Sequence, residues 1–178
     1  MTDQINLQPE LEGPRITVRP ICADDWEGLF AAASDPLVWE QHPAKERYKE
    51  DQFRAFFDDA IASGSAFSFV DRETGRLIGS SRYNGYDPEL SEIEIGWTFL
   101  GRDYWGGSYN KEIKKLMLEH AYTFADTVLF WVGDTNWRSQ KAVEKIGGIK
   151  RDGIFTRKHG DVDFPYVVFE LRKENYSL

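Results

Sequence analysis

The chain has 178 residues, 41% of them hydrophobic and 15% aromatic, and its 22 Lys or Arg against 30 Asp or Glu give a net charge of −8. That length suits one domain over residues 1–178 with a ring-rich core, preceded by a loosely held polar lead-in over 1–14. The acidic balance argues against nucleic acid as a partner. The lack of a long apolar run or signal-peptide pattern argues against a membrane, and the single cysteine, Cys22, leaves no internal disulfide. A reducing, cytoplasmic setting is expected, with Cys22 packed inside.

Residues 15–21 alternate Ile16, Val18 and Pro20 against Arg15, Thr17 and Arg19, the period of a strand. Asp24 and Asp25 start a helix whose stripe is Trp26, Leu29, Phe30 and Ala33, and Asp35-Pro36 stops it. Residues 37–48 lack a period and read as a loop. A helix over 49–62 turns Phe53, Phe56, Phe57, Ala60 and Ile61 inward and ends at Gly64. Residues 66–72 and 77–84 form a hairpin, and 85–91 a turn. A strand then starts at Glu92, with Ile93, Ile95, Trp97 and Phe99 on one face and Glu92, Glu94, Gly96 and Thr98 on the other. After Gly101 and Gly106-Gly107-Ser108 the period changes. Ile113, Leu116, Met117, His120, Ala121 and Phe124 recur at helical spacing, which makes His120 a satisfied core histidine. Residues 127–132 are a short apolar strand. Asn136 caps a helix with Ala142, Val143 and Ile146 inward and Gly147-Gly148 at its end. Residues 149–155 and 166–172 read as closing strands joined by 157–161, where His159 before Gly160 is expected to be solvated.

The strand, glycine loop and helix around residues 92–124 carry the first chemical signal. The N–H groups of a helix's first turn have no partner within the helix, and its dipole makes that end electropositive. Small residues there let an anion approach the backbone. The segment is not a Walker loop, since no Gly-Lys-Ser/Thr follows, nor a dinucleotide fingerprint. It is either a phosphate cradle or a tight turn. Residues 102–151 hold nine Lys or Arg against six Asp or Glu, a net of +3, which leaves −11 for the remainder. A phosphate-bearing cofactor in the middle and a cationic substrate elsewhere fit that division. No spacing of His, Cys and acids resembles a metal site.

The run YWGGSYNKE (residues 104–112), followed about two dozen residues later by NWRSQKAVEKIG, resembles the GCN5-related N-acetyltransferases. EIGW (residues 94–97) and the opening RITVRPICADDWEGLF are similar to the branch that includes the ribosomal-protein N-terminal acetyltransferases. The resemblance covers about residues 15–171. It implies an α+β acyl-CoA N-acyltransferase fold: one mixed, mostly antiparallel twisted sheet, helices on both faces, and a cofactor cleft between two splayed central strands. It also implies acetyl-CoA as co-substrate, an amine acceptor (a small molecule or a peptide N-terminus), and a monomer or homodimer.

By that resemblance the backbone of Thr98, Phe99 and Leu100 pairs with pantetheine, and the N–H groups of Trp105, Gly106, Gly107, Ser108, Tyr109, Asn110 and Lys111 hold the pyrophosphate. Arg102 and Lys141 add basic contacts. Asn136 and Ser139 match positions near the thioester and pantetheine, or are only a cap and a surface hydroxyl. Ser108-Tyr109-Asn110 departs from the usual Gly-x-Gly/Ala and puts side chains where phosphate approaches. Residues 37–48 border the acceptor site, with Trp39 and His42 as substrate contacts, unless His42 is a solvated loop histidine. Acetyl transfer needs a neutral amine, a donor for the oxyanion and an acid for the thiolate. Glu94 is the best base by position, or else a carboxylate paired with Arg82 or another neighbour. Val143 stands where a tyrosine acid is common, which leaves Ser139, water or nothing. Two functions follow: an acetyl-CoA-dependent N-acetyltransferase, or a catalytically silent acyl-CoA-binding module of the same fold.

Overall fold

A computed structural model describes residues 5–176. Its strands are β1 (Leu11–Glu12), β2 (Ile16–Pro20), β3 (Ala66–Asp71), β4 (Leu77–Asp87), β5 (Glu92–Leu100), β6 (Thr127–Gly133), β7 (Ile149–Lys150), β8 (Phe155–His159) and β9 (Val162–Arg172). They form one sheet in the order β1-β2-β3-β4-β5-β6-β9-β7, with β8 also on β9. All pairings are antiparallel except β5 with β6. The α-helices among the described residues are α1 (Trp26–Ala33), α2 (Glu50–Ser63), α3 (Tyr109–Ala121) and α4 (Trp137–Glu144).

The helices cover both faces because the sheet is apolar on both. On one face Ile113, Met117, Leu118 and Ala121 of α3 and Val143 of α4 pack on Ile93, Ile95, Val128 and Phe169. On the other, Leu29 and Ala33 of α1 and Phe53, Phe56, Phe57 and Ala60 of α2 enclose Trp39 and Phe99. Each such side chain taken fully out of water contributes roughly 1.5–3 kcal/mol before entropy is subtracted. The parallel pairing is short: Glu92 with Thr127, Ile93 with Val128, Glu94 with Leu129. Beyond it β5 pairs only with β4 and β6 only with β9, so the two strands part toward their C-terminal ends. This is the expected α+β fold with its splayed central strands.

Several local expectations are overturned. The alternation of β5 does not run through: Trp97 and Thr98 together oppose the single residue Ser81, a β-bulge. Trp97 there has φ +53, in the left-handed region a bulky side chain avoids. The extra residue switches faces, so Ile93 and Ile95 lie on the α3 side while Trp97 and Phe99 lie on the α1–α2 side. Residues 155–159 are a strand rather than a connection, turning through Gly160 into a β9 that begins at Val162. The β4 strand extends to Asp87. Cys22 is exposed, because the chain turns into a 3-10 segment (Ala23–Asp25) at that point. From Leu7 on, the lead-in is held: Leu7 and Leu11 pack on the core, β1 pairs with β2, and the Gln8 side-chain amide donates to Ala66 O at 2.8 Å. His120 is half-buried at the rim, where Nε2 meets Asn6 O at 2.8 Å.

Candidate active site

Where β5 and β6 part, a cavity of 290 Å³ opens. Thr98, Phe99 and Leu100 line its β5 wall, Phe130, Trp131 and Val132 its β6 wall, and Asn110, Ile113, Lys114 and Met117 of α3 its floor. The N-terminus of α3 faces one end. The N–H groups of residues 106–111 find no protein acceptor among the described residues, the next bond being Glu112 N–H to Ser108 O at 2.9 Å. Gly106 has φ +71, and a Cβ there would meet no protein atom within 4 Å; at Gly107 it would meet only the Tyr109 ring at 3.9 Å. Open space beside free donors at the positive end of a thirteen-residue helix is the arrangement a diphosphate needs.

The departure Ser108-Tyr109-Asn110 does not obstruct it. Ser108 Oγ accepts from Arg15 Nη1 at 2.5 Å, and Tyr109 packs edge-on against Tyr104 with Arg15 over its ring. Both side chains are thus held toward the β2 corner, where Glu112 also accepts the amides of Arg15 and Ile16 at 2.8 and 3.0 Å. Only Asn110 of the three lines the cavity. Lys114 was not anticipated. Its Nζ lies 5.6 Å from the Phe130 ring centre, and desolvation pulls the ammonium down to about 8. The Arg138 guanidinium stacks 3.9 Å from the Trp105 ring centre, at the cavity wall.

At the C-terminal end of β6, Gly133 pairs with Tyr166, and Asn136 N–H donates to Gly133 O at 2.9 Å. Asn136 Oδ1 accepts from Ser139 N–H at 3.3 Å, so it does cap α4; it is buried and also lines the cavity, as Ser139 does. Val143, buried, lines it one turn on.

The other end of the cavity is aromatic and cationic. Trp39 is fixed by its Nε1 donating to Ala33 O at 2.8 Å, with the His42 ring against it at 5.5 Å. His42 Nδ1 accepts Ala44 N–H at 2.9 Å, so the neutral ring carries its proton on Nε2. Desolvation first, then Arg47 and His159, hold this imidazole well below its usual range. His159 is not solvated: its Nε2 is 2.5 Å from Tyr166 Oη and its ring 6.4 Å from His42. Burial, Arg47 and Arg157 lower it to about 4, while burial raises the Tyr166 phenol.

Glu94 lies next to this end but does not line the cavity. Its two oxygens accept from Arg157 Nη1 and Nη2 at 2.8 and 2.9 Å, and Oε2 also accepts from Asn84 Nδ2 at 3.0 Å. Arg157 stacks on Trp97 and Trp131, at 4.8 and 4.3 Å. Arg82 does not reach Glu94; it pairs with Asp59 at 2.7 Å and stacks 3.7 Å from the Trp97 ring centre. Trp97's unfavourable φ, worth roughly 1–3 kcal/mol of strain, is thus held by two guanidinium groups on its ring.

The structure therefore gathers Trp39, His42, Thr98, Phe99, Leu100, Trp105, Gly106, Asn110, Asn136 and Ser139 around one cavity. Gly107, Ser108, Tyr109 and Lys111 keep N–H groups without a protein partner among the described residues, whereas the Trp105 N–H expected to join them is spent on Arg102 O at 3.1 Å. The Lys111 and Lys141 side chains point to solvent, and Arg102 Nε is spent on Asp35 at 2.6 Å. Among the described residues that line the cavity there is no Asp or Glu, so the acidic surplus outside residues 102–151 does not face a substrate there. Tyr166, which lines the cavity, and its neighbours Arg157 and His159 were not anticipated there. The alternation of Phe155, Arg157 and His159 with Thr156 and Lys158 is the signal that places them on a strand.

A family model described as an acetyltransferase (GNAT) domain matches residues 15–149. An uncharacterized N-acetyltransferase, p20, of Bacillus licheniformis is 28% identical over 114 residues. The match covers 61% of this chain and 64% of that protein, less than two thirds of its length. A GCN5-related N-acetyltransferase from Brucella melitensis superposes with a TM-score of 0.82 at 20% identity, over 94% of this chain and 80% of that one. The acetyltransferase (GNAT family) from Bacillus anthracis gives 0.75 at 20% identity, over 93% and 99%. At that identity both show a shared fold.

Proposed function

Because the chain belongs to the GNAT acetyltransferase family, we propose that it is an N-acetyltransferase moving acetyl from acetyl-CoA to a primary amine by direct attack in a ternary complex. Within the family we assign it, on EIGW and the opening motif, to the branch of the ribosomal-protein N-terminal acetyltransferases. The observation that carries the reading is the splay of β5 from β6 beside the free N–H groups of residues 106–111. That pair of features offers an extended edge for an amide-bearing arm and a cradle for its diphosphate. Acetyl-CoA supplies an acetyl group activated as a thioester.

The residues then divide by place. Residues 106–111 and Lys114 hold the phosphate end, and Thr98, Phe99 and Leu100 offer β5 backbone to the arm. Asn136 and Ser139 stand at the end of β6, where the thioester would lie. The amine enters past Trp39, His42 and Tyr166. An α-amine titrates near ~8, so part of it is already neutral at pH 7 and a strong base is not needed. The Tyr166 hydroxyl, held by His159 Nε2, gives its proton to the leaving thiolate and takes the one the amine loses, while His159, lowered to about 4, stays neutral. Glu94 acts by holding Arg157; a proton arriving on it would have to break a bidentate pair.

The test is thiol release from acetyl-CoA over a panel of primary amines, with acetyl-CoA binding followed by calorimetry. Binding with turnover of at least one amine supports the reading. Binding without turnover of any amine would leave the silent acyl-CoA-binding module.

A further inference from the structure

Charge at the acceptor end does not balance. Arg157 is matched by Glu94, and Arg82 by Asp59, whose side chain is 67% exposed. Arg47 has no such partner. The side chain is half-buried, its guanidinium 4.8 Å from the Phe56 ring centre and 5.6 Å from Trp39, and no hydrogen bond or carboxylate meets it among the described residues. Desolvation, with Arg82 adding to it against the opposing pull of Tyr166 and Asp59, draws this group down to about 10. Next to it the buried Arg82 has an Nε with no acceptor, and His42 presents Nε2–H from the cavity wall. A half-buried arginine without a counter-ion, near a second one, attracts an anion.

We propose that Arg47, backed by Arg82 and the His42 Nε2–H, is an anion subsite, and that the acceptor is an amine carrying a carboxylate: an amino acid rather than a polyamine. Three guanidinium groups against two carboxylates leave one positive charge, which fits a single monoanion. A planar carboxylate also suits a guanidinium fork lying on aromatic rings. The rings of Trp39, Trp97, Phe99 and Trp131 around the cavity suit an apolar remainder. A polyamine would meet like charge and no acid at this wall. This replaces the cationic acceptor suggested by overall charge, because the acids that make up that charge lie away from the cavity.

The inference rests on the acetyl-transfer reading, and the two can fail separately. The CoA-saturated protein is titrated calorimetrically with N-acetylglycine, N-acetylleucine and N-acetylphenylalanine, each against its carboxamide. The acids should bind at least about tenfold tighter, the scale of one charge-assisted contact. In Arg47→Met, which keeps an apolar stem on Phe56, the ratio should fall to about one; Arg47→Lys should keep part of it. N-acetylaspartyl amide, whose only carboxylate is in its side chain, separates a free α-carboxylate from an acidic peptide N-terminus, and the free α-carboxylate should bind tighter. Equal binding of acids and amides, or an unchanged ratio in Arg47→Met, overturns the subsite. A ratio that behaves as expected without thiol release from acetyl-CoA overturns acetyl transfer and leaves the subsite standing.

Discussion

Glu94→Gln separates a catalytic base from a carboxylate that holds the site together. In the structure the Glu94 side chain is 6% exposed and Arg157 23% exposed, joined by two bonds at 2.8 and 2.9 Å. Removing one partner of a buried pair costs ~3–5 kcal/mol, and water reaching Arg157 reduces that here to about 2–3 kcal/mol. Glutamine keeps one acceptor but turns an amide donor toward the second guanidinium nitrogen. At about 2–4 °C per kcal/mol for a domain of this size, Tm should fall by roughly 4–12 °C. Arg157 would then loosen its grip on Trp97 and Trp131, so the acceptor's KM should rise. The kcat should fall by less than the ~10²-fold typical of a lost general base, with no recovery at high pH. Thermal unfolding together with a kcat–pH profile reads both. An unchanged Tm with a 100-fold loss of kcat, restored as pH rises, would refute the reasoning and make Glu94 the base.

Gly107→Val should weaken CoA binding by about tenfold or more with little change in Tm, since its Cβ meets only the Tyr109 ring at 3.9 Å; Gly106→Val should lower both, because φ +71 strains a β-branched residue. Tyr166→Phe should cut kcat by about 10- to 100-fold and cost ~1 kcal/mol of stability, read by steady-state kinetics and thermal melts. Burial would raise Asp25, but hydrogen bonds from Arg19, Ser68 and the Cys22 amide hold it below the usual 3.8. Its contribution is therefore full above about pH 4 and lost as pH falls through the folded value, so Asp25→Asn should flatten acid unfolding there while lowering stability at pH 7. The opposite partner type behaves in its own window: His159, lowered to about 4 from 6.5, costs stability as pH falls from 6.5 to 4, and His159→Gln should remove that slope.

The elements with strong periods were legible from the sequence. The α2 stripe of Phe53, Phe56 and Phe57, the apolar β6 and the Asn136 cap are local signals, and the structure has each of them. So was the loop before α3, because small residues between a strand and a helix leave few alternatives. What escaped depends on partners distant in sequence. The bulge at Trp97 exists through its opposition to Ser81, and nothing within residues 92–100 marks it. Glu94 alternates like a cleft residue, yet Arg157, 63 positions away, closes over it. Arg47 sits in a 3-10 turn (Lys45–Tyr48) within a stretch without a period, so only the packing of Phe56 and Trp39 beside it reveals its lack of a counter-ion.

The central claim is that the α3 N-terminus, with its free N–H groups at residues 106–111, cradles the diphosphate of CoA. Calorimetric titration with CoA and with pantetheine tests it directly. Several charge-assisted bonds of ~1.5–3 kcal/mol each should make CoA bind at least about 100-fold tighter. Equal affinity for the two would contradict the account.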